Sequence, residues 1–211
     1  MKYLRLFENF EEYNPYDLMV MFPDERLKLF IEEIEKDEPN LNLVRDLISL
    51  GTINTQDDNN GNAPLYSAAR LGKIEIARML IDAGADLNVQ DEDGWTPLHG
   101  ATWGEEAEIA QMLIYAKANV NVQNKWGSTP LHRAAYYGRL EIARMLIDAK
   151  ADLNLQDKWG QTALHVAASN GQVEIVRMLI DAGSRKDIRD NEGRLPYDFA
   201  ITQELQNLLK P

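Results

Sequence analysis

Apolar residues fall along the chain in short clusters of helical spacing, and the clusters return at a fixed interval. Ile142, Ala143, Leu146 and Ile147 occupy i, i+1, i+4 and i+5, the stripe of a helix with one buried face. Equivalent positions recur at Ile76, Ile109 and Ile175, and Met79, Met112, Met145 and Met178 share one register position. A methionine row can be a soft binding strip, but this spacing predicts core or near-core packing. Between the stripes, Gly61, Gly94, Gly127, Gly160 and Gly193 lie 33 residues apart, as do the tetrads Thr96-Pro97-Leu98-His99 and Thr129-Pro130-Leu131-His132. A period of this size predicts a stacked solenoid, one elongated domain whose core grows by adding units.

Residues 57–189 divide into four full units. In each, a glycine turn leads to a first helix, where threonine can accept from an orphan amide and proline at the first helical position leaves no amide unsatisfied. Ala134-Ala135 keeps that helix's contact face small, Gly138 ends it, the second helix follows, and Asp152-Leu153-Asn154 begins the turn into the next unit. Residues 24–56 form a degenerate unit. Leu27, Phe30, Ile31 and Ile34 line one helix, Pro39 punctuates, Leu43, Val44, Leu47 and Ile48 line the next, and Gly51 closes it. Its polar faces, with Glu32, Glu33 and Glu35, suit an outer cap. Residues 190–211 start a further unit at Pro196 and stop early, with Leu205, Leu208 and Leu209 as a last apolar face. In residues 1–23, Tyr3, Leu6, Phe7 and Phe10 follow helical spacing. Asn14-Pro15 breaks the pattern, and Leu18 to Phe22 is expected as an extended strip covering the first repeat, or as a linear docking motif.

Turn, Thr-Pro-Leu-His helix, glycine loop, second helix and Gly-Ala-Asp-x-Asn together resemble the ankyrin repeat from about Asp24 to the C-terminus. The resemblance implies an all-α repeat solenoid of helix pairs, with β-hairpin turns projecting to one side and a concave face that binds other proteins. Departures have physical costs. Ala63 and Tyr66 replace threonine and histidine, so a cap bond worth roughly 1 kcal/mol is missing. Ala163 replaces a proline. Lys117 and Lys150 stand where Gly84 and Gly183 occupy a left-handed position, at about 1 kcal/mol each. In 99–105 the loop glycine comes one residue early, as Gly104, with Glu105 in its slot, which predicts a distorted turn.

Composition narrows the function. There are 22 bases and 34 acids, a net charge of −12, so the field repels phosphate backbones and disfavours nucleic acid. Met1 to Gln56 alone holds 12 acids and 6 bases. There is no cysteine, which excludes disulfides and thiolate chemistry and fits a reducing compartment. Glu8, Glu11 and Glu12 interrupt any signal core, and no run reaches the roughly 18 to 20 apolar residues that span a bilayer, so a cytoplasmic protein, monomeric in isolation and off the membrane, is expected. His99, His132 and His165 share one register position. Helices of adjacent units pack about 8–10 Å apart whereas zinc needs each nitrogen at about 2 Å, so no shared metal site is expected. The resemblance implies that this histidine bonds locally around the threonine and the turns. Glycines do not cluster into a phosphate loop, Asp91, Asp157 and Asp190 sit in turns, and no water-excluding cleft for paired carboxylates is indicated. Neither an enzyme nor a cofactor is expected.

The tryptophans point to binding. Trp95, Trp126 and Trp159 flank the turn glycines, and Trp103 lies near the end of a first helix, beside the register slots of Tyr136 and Tyr137. The resemblance puts these at variable, groove-facing positions, and tryptophan and tyrosine dominate interface hot spots. With Arg133, Lys125, Lys158, Glu92 and Asp93 they form a patch of mixed charge. A protein or peptide with apolar side chains and a lysine or arginine over a ring fits it. Two alternatives are an aromatic-lined receptor for a small cation or methylated lysine, with Glu92 and Asp93 as counter-charges, and a self-associating scaffold using Phe7, Phe10 and Leu18 to Phe22. If the rings only stack along the turns, they stiffen the solenoid instead.

Overall fold

A computed structural model describes residues 14–57, 60–104 and 107–210. The positions Tyr3, Leu6, Phe7, Phe10 and Glu105 lie outside them. Among the described residues twelve α-helices follow one another: α1 (Pro15–Val20), α2 (Pro23–Glu35), α3 (Leu41–Ser49), α4 (Pro64–Arg70), α5 (Ile74–Asp82), α6 (Pro97–Ala101), α7 (Glu108–Tyr115), α8 (Pro130–Tyr137), α9 (Leu140–Asp148), α10 (Ala163–Ser169), α11 (Val173–Asp181) and, after a 3-10 turn at Pro196–Phe199, α12 (Gln203–Leu209). First helices pack in one row, α2, α4, α6, α8, α10 and the 3-10 turn, and second helices in another, α3, α5, α7, α9, α11 and α12. The protein is an all-helical repeat solenoid.

The first helices begin where threonine and proline place them. Thr129 Oγ1 accepts from the His132 amide (3.3 Å) and Pro130 takes the first position of α8. Ala63, lacking a hydroxyl, gives α4 no side-chain cap. Gly138 ends α8 in the left-handed conformation. The core is one continuous seam in which Leu65, Leu98, Leu131 and Leu164 from the first row meet Ile76, Ile109, Ile142 and Ile175 from the second, all buried. Met79, Met112 and Met145 are half-buried against it.

Two expectations change. Leu18 to Phe22 is not an extended strip. Asn14 accepts from the Tyr16 amide and Pro15 takes the first helical position, so the break expected there is the start of α1, whose Leu18, with Met21 just beyond it, is buried. Glu33 does not belong to a solvated face with Glu32 and Glu35. It is 1% exposed, and its carboxylate accepts from the Asn40 amide and from Lys36 Nζ, holding the α2–α3 turn. A buried charge is stable here because both oxygens are paired.

The shifted glycine in 99–105 leaves its trace in α6, which has five residues against eight in α8. Thr102 and Trp103 amides bond back to His99 and Gly100 carbonyls, tightening the end of the helix. Lys117 and Lys150 adopt φ of 72° and 64°. Lys150→Gly is therefore expected to raise stability by about 1 kcal/mol, seen as a higher melting temperature; an unchanged one would show that the lysine stem recovers the strain through packing.

Candidate functional site

The turns between units set the backbone of the site. Asn124 N donates to Ser128 O (3.0 Å) and Asp157 N to Gln161 O (2.8 Å), one ladder bond per turn, so no strand forms among the described residues and the expected hairpins are tight turns. Asn124 Oδ1 accepts from the Trp126 and Ser128 amides (2.9 Å each), and Asp157 Oδ1 from those of Trp159 and Gln161 (2.9 Å each). Neighbouring turns are tied by Lys125 N to Asp93 O (2.8 Å) and Lys158 N to Trp126 O (2.9 Å). Gln123 Nε2 bridges Gly127 O (2.7 Å) and Gln156 O (3.0 Å), as Gln90 and Gln156 do one unit to either side. Trp126 and Trp159 thus stand on a backbone bonded from both sides.

The expected rings come together around a cation. The Arg133 guanidinium, from α8, lies 4.5 Å from the Trp103 ring centre, 4.7 Å from Trp95, 4.5 Å from Tyr137 and 5.8 Å from Tyr136, and its Nη2 donates to Tyr137 Oη (2.6 Å). Trp95 packs at 5.6 Å on Trp103 and 5.5 Å on Trp126, Trp103 at 6.1 Å on Tyr137, and Tyr136 edge-on to Tyr137 at 5.0 Å. Ring pairs of this kind contribute about 0.5–1.5 kcal/mol each beyond their buried area, and a cation on a ring about 0.5–2 kcal/mol. Arg139 braces the assembly, donating to Trp103 O (2.8 Å) and Thr102 O (3.4 Å) at the end of α6, where the helix dipole favours a cation. The lysine or arginine expected from a partner over these rings meets a guanidinium already in place. The same holds for a small cationic ligand, since Arg133 fills the position such a cage would offer.

Trp159 lines the same groove of about 380 Å³, with Trp95, Trp126, Arg133 and Tyr136. It is 57% exposed and Tyr136 51%, whereas Trp95, Arg133 and Tyr137 are half-buried. On the other side of Trp95 and Trp103 lies a recess lined by Asp91, Glu92, Asp93, Tyr66 and Arg70. Asp93 pairs there with Lys125 at 3.4 Å, both exposed, a bond worth at most about 1 kcal/mol. Burial, then the Asp91 carboxylate, pushes the Tyr66 hydroxyl up to about 12, and burial raises Asp91. The ring cluster therefore separates an acidic recess from an aromatic groove, with exposed Lys158 on the turn beside the groove. A larger recess of about 610 Å³ on the second helices, beside Tyr115 and Lys117, holds none of the tryptophans.

The histidines are committed elsewhere. His99 Nδ1 faces the Thr96 hydroxyl (2.8 Å) and accepts from the Thr96 amide (3.2 Å), which leaves Nε2–H to donate to Ser128 O in the next unit (3.0 Å). His132 reaches Gln161 O and His165 reaches Arg194 O in the same way. Burial lowers all three, His99 to about 4. They are neutral struts between units. Among the described residues no cluster of three or more His, Cys, Asp or Glu could hold a metal ion, and no helix is long and apolar enough to cross a membrane.

A family model for ankyrin repeats (3 copies) matches residues 34–124, 86–157, 103–190 and 131–210 in overlapping stretches. The chain belongs to the ankyrin repeat family. Ankyrin repeats are general protein–protein interaction modules, and the family is typically non-catalytic. Compared with curated proteins, the chain finds no match. Within this ankyrin array three functional features escape a reading of the sequence: the glutamine bridges, the Arg139 brace and Asn124. Gln90, Gln123 and Gln156 stand 33 residues apart, so their spacing carried the signal. Asn124 was visible only against Asp91, Asp157 and Asp190 at its register position.

Proposed function

We propose that this ankyrin repeat protein binds a protein or peptide, without catalysis, through the turns and first helices of residues 90 to 170. The observation that carries the proposal is the exposure of Trp126, Tyr136 and Trp159 around one groove, with Trp103 exposed beside it, while the repeated framework is buried. Exposed aromatic surface is costly unless something covers it. Glu92, Asp93 and Lys125 frame one side of the patch and Lys158 the other. In the same reading residues 24–56 and 190–211 are the end units of the stack.

The test is Trp126→Ala and Trp159→Ala, each checked for an unchanged melting temperature and then for affinity toward the partner recovered by affinity purification. A hot-spot ring contributes about 2 kcal/mol or more, so each variant is expected to bind roughly 30-fold more weakly. Undiminished affinity in both folded variants refutes the assignment.

A second reading has its own observation. On α1 and just after it, Tyr16, Met19, Val20 and Phe22 are exposed, an apolar cluster through which a scaffold could self-associate. Light scattering over a dilution series is expected to give the mass of one chain throughout. A mass that rises with concentration, and falls back in Phe22→Ser, would favour self-association.

A further inference from the structure

The groove beside Trp126 and Trp159 contains donors that lack acceptors. Arg133 gives its one hydrogen bond to Tyr137, its Nε is buried without a partner, and among the described residues no carboxylate pairs with it. Asn124 is 6% exposed and lines the same groove; its Oδ1 is taken by the turn amides, and its buried Nδ2 has no acceptor. At this register the other units carry Asp91, Asp157 and Asp190, which accept from turn amides just as Asn124 does. An amide does that work equally well, so what the exchange alters is charge: a carboxylate is removed from the wall beside Arg133 and a donor put in its place. Residues 124–140 carry Lys125, Arg133 and Arg139 and no acid, with Lys125 paired to Asp93 of the preceding turn.

The rings already hold a cation, so a partner's lysine would meet repulsion there, and the buried polar atoms without partners in this groove, Arg133 Nε and Asn124 Nδ2, are both donors. Resting on the binding role proposed above, we infer that the groove takes an acidic segment of the partner. A glutamate or aspartate carboxylate accepts from Arg133, and a neighbouring apolar side chain lies on Trp126 and Trp159. The guanidinium is pre-organised, because three ring faces and Tyr137 Oη fix its plane before the partner arrives, and little side-chain freedom is lost on binding. Asp157 also lines the groove, with Oδ1 committed to the Trp159 and Gln161 amides. Its charge directs the incoming carboxylate toward the Arg133 and Asn124 end.

The test uses the full chain and a displayed random-peptide library. Selected peptides are expected to carry an acid beside a bulky apolar residue. The strongest is then synthesised with a fluorescent label, and with its acid changed to the matching amide. That change should weaken binding about tenfold on the wild type and leave it unaltered on Arg133→Gln, since a charge-assisted bond is lost only where its donor exists. Asn124→Asp is the variant safest for folding, because aspartate serves the same turn in the neighbouring units. It should melt as the wild type does and bind the acidic peptide about tenfold more weakly. Peptides indifferent to the acid, or affinity in Arg133→Gln and Asn124→Asp equal to that of the wild type while Trp126→Ala abolishes binding, overturn this inference and leave the binding face standing. Failure to select any peptide, or peptides indifferent to Trp126→Ala and Trp159→Ala, overturns both.

Discussion

Acidification from about pH 7 to about pH 4 is expected to cost the protein several kcal/mol of stability, with His99, His132 and His165 as the cause. His99 falls from the ordinary 6.5 to about 4, chiefly through burial, with Arg133 and His132 adding to the effect. Below about pH 6.5 the unfolded chain takes up a proton that the folded one refuses. Stability is thus complete above that value, declines as the pH falls through the window, and levels off below the folded value. At about 1.4 kcal/mol per pH unit, His99 alone accounts for on the order of 3 kcal/mol. His132 and His165 shift the same way, partly offset by Asp157 and Asp190. Asp91, raised by burial, acts in the opposite sense at lower pH. The structural cause is plain: protonating Nδ1 turns it into a donor facing the Thr96 amide. Urea unfolding at stepped pH reads the slope. Stability that stays flat from pH 7 to pH 5 would show that the rings accept the proton in place.

Gly127→Ala should be a strongly damaging exchange in the turns beside the groove. Gly127 holds φ at +73°, and a Cβ there would lie 2.9 Å from Asp157 Cα and 3.0 Å from Lys158 N, backbone atoms of the next turn. The left-handed conformation costs alanine about 1 kcal/mol and the overlap about 1–3 kcal/mol, so roughly 3 kcal/mol is expected. Gly84→Ala is the control. Its φ is +82° but nothing lies within 4 Å, so only the conformational cost of about 1 kcal/mol applies. That same open space explains how lysine is accommodated at positions 117 and 150. Equal losses in the two variants would mean that the turns yield freely. Because the displaced atoms carry Trp159, Gly127→Ala should also weaken partner binding at a temperature where the protein remains folded.

The units, their helices and their caps were legible because the repeat supplies its own alignment: a proline or glycine seen at one interval after another fixes a phase that one copy could not. What stayed hidden depends on stacking. Arg133 was marked as part of the patch, yet that it reaches back across units to fill the faces of Trp95 and Trp103 follows only from packing α8 on α6. Glu33 was grouped with its acidic neighbours because periodicity treats charge as solvated, and the Asn40 amide that it satisfies lies beyond the end of its helix. Asn14-Pro15 is ambiguous in a sequence. The pair that breaks one helical pattern is equally the cap and first position of another, and the burial of Leu18 decides between them.

The histidine struts also give the array a direction. His99, His132 and His165 each extend a ring nitrogen forward to a carbonyl of the unit that comes later in the chain, and the bridging glutamines lean the same way. During synthesis from the N-terminus, each of the three units that carry a histidine must therefore wait for its successor before that imidazole is satisfied. Shortening the chain from its far end orphans buried side chains in what remains. Cohesion in this solenoid is lent backward, from the youngest segment to the oldest.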